Sequence, residues 1–174
     1  MENVVTSPVP SLEAYAAKML VERFNRMMSH APGVIEGTSP EPVHQMRVWA
    51  RRTRTALDVY AMSQLVQNRS AIAEIDAEVK RAADALGELR DTDVMIEFLG
   101  KSSELLPAEQ QSGVLALVHE LKELRSKVQA QAIHAVERLN SQNLPGKLFN
   151  VYGVIVNSAQ VPEQSTASLL STSN

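Results

Sequence analysis

Apolar residues recur along this chain three and four positions apart, in four long blocks separated by short breaks rich in Pro, Gly, Ser and Asn. The first block predicts a helix from Ser11, a capping residue with Glu13 in the following turn, to about His30. Leu12, Tyr15, Ala16 and Met19 form its apolar stripe, which Arg23, Arg26 and His30 continue. Ala31-Pro32-Gly33 ends it, and a loop leads to Ser39 as N-cap, Pro40 at the first helical position and Pro42 in the first turn. The second helix runs to about Met62, with Met46, Trp49, Ala50, Thr53, Leu57 and Tyr60 on its buried side.

The third helix starts at Asn68 or Ser70 and runs to about Gly100. Ile72, Ile75, Val79, Ala82, Ala83, Leu86 and Leu89 mark its core side, and Arg90, Asp93 and Glu97 share that side. Charges on an apolar stripe need a partner or water, so Asp93 is expected to accept from an arginine of the second helix, and Arg90 to face a cleft. A local Arg90–Asp93 pair is the alternative; Asp91 points elsewhere. Gly87, costly inside a helix, implies a close helix crossing. The fourth helix runs from about Pro107 to Asn140, with Val114, Leu117, Val118, Leu121, Leu124, Val128, Ala132, Ala135 and Leu139 inward, Lys122 and Arg125 beside the cleft, and His119, Lys127 and His134 outward. A turn to Pro145 precedes a short apolar segment, Leu148 to Val156.

The expected fold is therefore all-α: an antiparallel four-helix bundle with long helices plus a short C-terminal helical segment. Residues 1–10 read as a flexible arm, 11–157 as the domain and 158–174, rich in Ser, Thr and Gln, as a disordered tail. At 174 residues the chain is long enough for one domain with a real core. The net charge of −3 argues against nucleic-acid binding driven by bulk charge. Cysteine is absent, so neither disulfides nor Cys metal sites arise. No apolar run approaches the ~20 residues of a membrane helix and no signal peptide is visible, so a cytoplasmic location and no membrane partner are expected.

Positive charge is instead local. Pro42 to Leu57 holds four arginines and one histidine without an acid. At ~100° per residue, His44, Arg47, Arg51 and Arg54 share one stripe, with Arg52 off it. Like charges four apart cost a few tenths of a kcal/mol in a helix, and planar guanidinium groups suit phosphate oxygens. The stripe reads either as an anion site or as a solvated face paired with acids of neighbouring helices. Metal-dependent phosphate hydrolysis needs clustered carboxylates; Asp91, Asp93 and Glu97 are the only candidates, and Asp91 faces away. No phosphate-cradling glycine loop and no His pair four apart occur, so no metal, cofactor or enzymatic activity is expected.

A second motif follows some thirty residues later. His44-x-x-Arg47-Val48-x-x-Arg51-Arg52-x-Arg54-x-Ala56-Leu57, then Ala85-Leu86-Gly87-x-x-Arg90-Asp91-x-Asp93-Val94, resembles the CHAD family, the histidine-containing α-helical domain, over residues 11–157. The resemblance implies two four-helix repeats with a cleft of basic residues that binds inorganic polyphosphate. It points to His44, Arg47, Arg51, Arg52, Arg54 and Arg90, with Lys122, Arg125, Arg23 and Arg26 from the flanking helices and Asp93 orienting the cleft. It also raises association with polyphosphate granules. The chain carries about one repeat, so two copies are expected to pair about a two-fold axis and rebuild the cleft. The other readings are a helical scaffold for an acidic protein partner and an accessory domain of a metal-dependent phosphohydrolase.

Overall fold

A computed structural model describes residues 11–62 and 69–151; the N-terminal arm, Asn68, the stretch after Val151 and the C-terminal tail lie outside them. The described residues form six helices and no strand: α1 (Leu12–Met28), α2 (Ala31–Glu36), α3 (Glu41–Ala61), α4 (Arg69–Ser103), α5 (Ala108–Ser141) and α6 (Leu144–Val151). The all-α bundle expected from the apolar periodicity is the fold observed.

Ion pairs between helices define their directions. Arg54 meets Asp76 and Arg47 meets Asp91, so α3 and α4 run antiparallel. Asp93 meets Arg125 and Glu78 meets Arg138, which makes α4 and α5 antiparallel as well. The chief neighbours of α1 are α3 and α6, and α6 in turn packs on α4. Thus α1, α3, α4 and α6 surround the core, and α5, packed along α4, adds Val128, Ala132, Val136 and Leu139 to it. Leu20, Phe24 and Met27 of α1, Met46 and Leu57 of α3, Val79 and Leu86 of α4, and Leu144, Leu148 and Val151 of α6 are all buried.

Four details differ from the sequence reading. Residues 31–36 are helical, although Pro32 and Gly33 suggested a loop; Pro32 sits in the first turn, where its missing N–H costs nothing. On α1 the core face is rotated: Leu12 and Tyr15 are exposed, and Ala17, Leu20, Phe24 and Met27 are buried. On α5, Leu117 and Leu124 are exposed and Val136 is buried. The final helix begins at Leu144 rather than Leu148, after Asn143 turns the chain at φ 47°; asparagine tolerates that left-handed conformation.

Helix lengths explain the third of these differences. α4 and α5 contain 35 and 34 residues, against 17 for α1 and 21 for α3. At 1.5 Å per residue α4 is about 50 Å long, so the α4–α5 hairpin runs past the N-terminal end of α3. In that projecting part only the seam between the two helices is buried, at Val118 and Leu121.

Charge fastens α5 to α4 within the hairpin, and one glycine marks where α5 meets α2. Gly37 ends α2 at φ +69°, in the left-handed region. A Cβ there would also strike the Gln129 amide, which Arg125 Nη1 holds at 2.7 Å. Further along, Arg138 donates twice to Glu78, at 3.2 Å each, and Arg81 pairs with the same carboxylate. The Arg138 hydrogen bonds, then Arg81, bring the Glu78 pKa down from 4.5 to about 2. A depressed carboxylate pKa stabilises the fold above the unfolded value, and that contribution is lost as pH falls toward the folded one. Glu78→Gln should therefore flatten the fall in thermal stability between about pH 4.5 and pH 2. Melting curves across that range check this; an unchanged slope would rule out Glu78 as an acid-sensitive clamp.

Candidate anion-binding face

α3 carries cations around much of its circumference, and the neighbouring helices treat them differently. Arg54 lies toward α4, where Nε and Nη2 donate to the two oxygens of Asp76 at 2.8 and 3.1 Å. These hydrogen bonds raise the pKa of Arg54 above its ordinary value. The pair is partly buried and bidentate, a geometry that fixes a side chain. Arg54 therefore joins α3 to α4, with its guanidinium engaged by Asp76.

Arg47 also lies toward α4, and its guanidinium crosses Gly87. It reaches Asp91 at 3.4 Å, with both side chains well exposed. A single long contact between exposed groups holds little energy, so Arg47 can exchange Asp91 for another anion. The acid it meets is Asp91, which the wheel had turned away, and not Asp93. Gly87 accommodates the Arg47 side chain rather than a close approach of helix backbones: an added Cβ would sit 3.7 Å from Arg47 Nε, in ordinary contact.

Asp93 is buried, and its partner is on α5: Arg125 Nε donates to it at 2.6 Å and Nη1 to Gln129. The expected bond from α3 to Asp93 does not form, and neither does the local Arg90–Asp93 pair. Asp93 orients Arg125 and fastens α4 to α5, so Arg125 is a structural residue. Glu97 is exposed and bound to Lys101, not turned inward. With Asp91, Asp93 and Glu97 held by three different cations, they make no joint site. The described residues contain no group of three His, Cys, Asp or Glu able to hold a metal ion.

Away from α4 the picture changes. His44, Arg51 and Arg52 are exposed on α3, and none has an ion pair among the described residues. Arg23 and Arg26 of α1 join them. Arg52 lies over the Trp49 ring, 4.7 Å from its centroid, and Arg26 approaches the same ring from α1 at 5.9 Å. Cation–π attraction at such sites is worth about 0.5–1 kcal/mol and restrains side chains that would otherwise be mobile. Arg23, Arg51 and Arg52 border one shallow depression between α1 and α3. Neither α1 from Arg23 onward nor α3 between Glu41 and Asp58 contains an acid.

Of the residues named from sequence, His44, Arg51, Arg52, Arg23 and Arg26 thus share the side of the bundle away from α4, while Arg47 stands on the α4 flank of α3. Arg90 is half-buried on α4, three residues beyond Gly87, and Lys122 is exposed on α5, whose neighbours are α4 and α2. Trp49 packs against the core, as its spacing predicts, and it also carries Arg52, three residues away, over its ring. Asp76 sits between Ile72 and Val79 on the line of α4 that meets α3, the one sign in the sequence of its pairing with Arg54.

Fold and face define an all-helical bundle with a cationic surface on one pair of helices. The chain belongs to the CHAD domain family, whose pattern matches residues 18–150. No curated protein and no solved structure matches it. No helix among the described residues is long and apolar enough to cross a membrane.

Gly87→Ala should be tolerated and should raise stability by up to about 1 kcal/mol, the helix-propensity difference between the two residues. Chemical denaturation measures it. A loss exceeding 1 kcal/mol would mean that the Arg47 crossing needs more room than its geometry indicates.

Proposed function

We propose that the chain binds inorganic polyphosphate through the α1–α3 face without transforming it. One observation carries the reading: Arg23, Arg26, Arg51 and Arg52 gather on two adjacent helices with no ion-pairing acid among the described residues. Such a cluster is self-repulsive until an anion enters it. Phosphate oxygens accept the forked hydrogen bonds that guanidinium groups donate. A phosphate chain in place also releases its condensed counterions, as on nucleic-acid backbones. Arg47 and His44 extend the face along α3. The separate engagement of Asp91, Asp93 and Glu97 favours binding over metal-assisted hydrolysis. In a cell, the same affinity would place the protein on polyphosphate granules.

Variants separate ligand contacts from structural ones. Arg51→Ala or Arg52→Ala should each weaken polyphosphate binding by about 1 kcal/mol, roughly fivefold, with the fold intact. Arg51→Lys should lose less than Arg51→Ala. Arg54→Ala should lower stability and leave affinity within about twofold. Titration calorimetry paired with melting curves reads both quantities; equal affinity losses at Arg51 and Arg54 would refute the division.

A second copy is the partner that the projecting hairpin favours. At ~100° per residue, Val94 and Phe98 lie on the same line of α4 as Asp76 and Gly87, which α3 covers lower down. Phe98 is 66 % exposed, and Leu105, just past the helix, 87 %. Glu97 and Lys101 flank Phe98, so antiparallel pairing of two such hairpins would set the Lys101 of one copy beside the Glu97 of the other. That self-complementarity suits a two-fold contact. Light scattering on a sizing column should give a dimer for the wild type and a monomer for Phe98→Asp. A wild-type monomer at high concentration that still binds polyphosphate tightly removes this assignment.

A further inference from the structure

We propose that the depression between α1 and α3 is a site for organic polyphosphates: short phosphate chains esterified to a flat, partly apolar body, as in nucleoside triphosphates. This rests on the polyanion reading of the same arginines and adds what an inorganic chain leaves unexplained, an apolar floor.

The depression has a volume of about 550 Å³. Two adjacent rows of α3 build it, each at four-residue spacing. One row runs Val48, Arg52, Ala56, Tyr60; the other runs Arg51, Thr55, Val59. Its charge is therefore concentrated at Arg51 and Arg52, with Arg23 of α1 beside them, and its apolar surface at Ala56, Val59 and Tyr60. The two ends are about 12 Å apart along the helix, the scale of a triphosphate followed by a sugar and base.

Four observations match that chemistry. Arg23 Nε is buried without a hydrogen-bond acceptor, and a phosphate oxygen at the charged end would supply one. Arg52 is held over Trp49, so its guanidinium loses little freedom on binding. Val59 is 61 % exposed, an apolar surface that an inorganic chain would leave wet and a nucleobase or sugar would cover. Thr55, between the two ends, offers a hydroxyl where the sugar would lie.

The test is titration calorimetry on the full chain at fixed ionic strength, with ATP, inorganic tripolyphosphate and long-chain polyphosphate as separate ligands. ATP should bind about tenfold tighter than tripolyphosphate, the equivalent of covering on the order of 50 Å² of apolar surface. Ala56→Ser/Val59→Ser should reduce that advantage to within twofold and leave tripolyphosphate binding unchanged. Arg23→Gln should weaken both. If long-chain polyphosphate binds but ATP holds no advantage, this inference alone fails; if no polyphosphate binds, the underlying reading fails with it. A tenfold advantage that survives in the double-serine variant would place the organic body elsewhere and overturn the assignment. Sedimentation with phosphatidate-containing vesicles distinguishes a lipid source of the same chemistry: vesicle binding without ATP binding overturns the soluble ligand.

Discussion

The carboxylates that α3's arginines meet are supplied by α4, and they reach only one flank of α3. Asp76 takes Arg54 in a bidentate pair and Asp91 touches Arg47 at the limit of contact. The opposite flank faces α1, which from Arg23 onward contributes cations and no acid. This one-sided neutralisation divides a cationic helix into a docking edge and an open edge, and the placement of the candidate site depends on it.

The division also decides what each charge contributes to folding. Partly buried pairs with two hydrogen bonds, such as Arg54–Asp76, fix helix register and leave a costly unpaired charge when one partner is removed. The Arg125–Asp93–Gln129 group does the same between α4 and α5, and its Gln129 lies against the left-handed Gly37 at the entry to α3. The open edge has no such compensation. Arg26 and Arg52 are steadied on Trp49 instead, which keeps guanidinium groups in place without neutralising them. An aromatic ring is well suited to positioning guanidinium groups that remain cationic.

Much of this was legible in the chain itself. The extents of α3, α4 and α5 follow from apolar spacing and from breaks at Pro40, Pro42 and Pro107, and the cationic stripe follows from the run between Glu41 and Asp58. What was not legible depends on contacts across the fold. Arg54 and Asp76 are 22 residues apart, and Asp93 and Arg125 are 32 apart; periodicity places each on a face but cannot choose its partner. Arg51 and Arg54 look equivalent on a wheel and differ only because α4 covers one of them. The exposure of Leu117 and Leu124 has a similar origin: their spacing predicts burial, but α4 and α5 outrun the helices that would cover them. Residues 31–36 were missed because Pro and Gly signal a loop and a single helical turn equally well.

The central claim is that open arginines, and not total charge, bind a phosphate chain. Calorimetric titration with long-chain polyphosphate at two salt concentrations tests it most directly, with single-stranded DNA of equal charge as the control. Engagement of about four cations predicts that log K falls by roughly 3 per tenfold rise in salt, with polyphosphate preferred over DNA and the slope reduced by about 1 in Arg51→Ala. Equal affinity for DNA, or a salt slope unaltered by removing Arg51, would contradict the account.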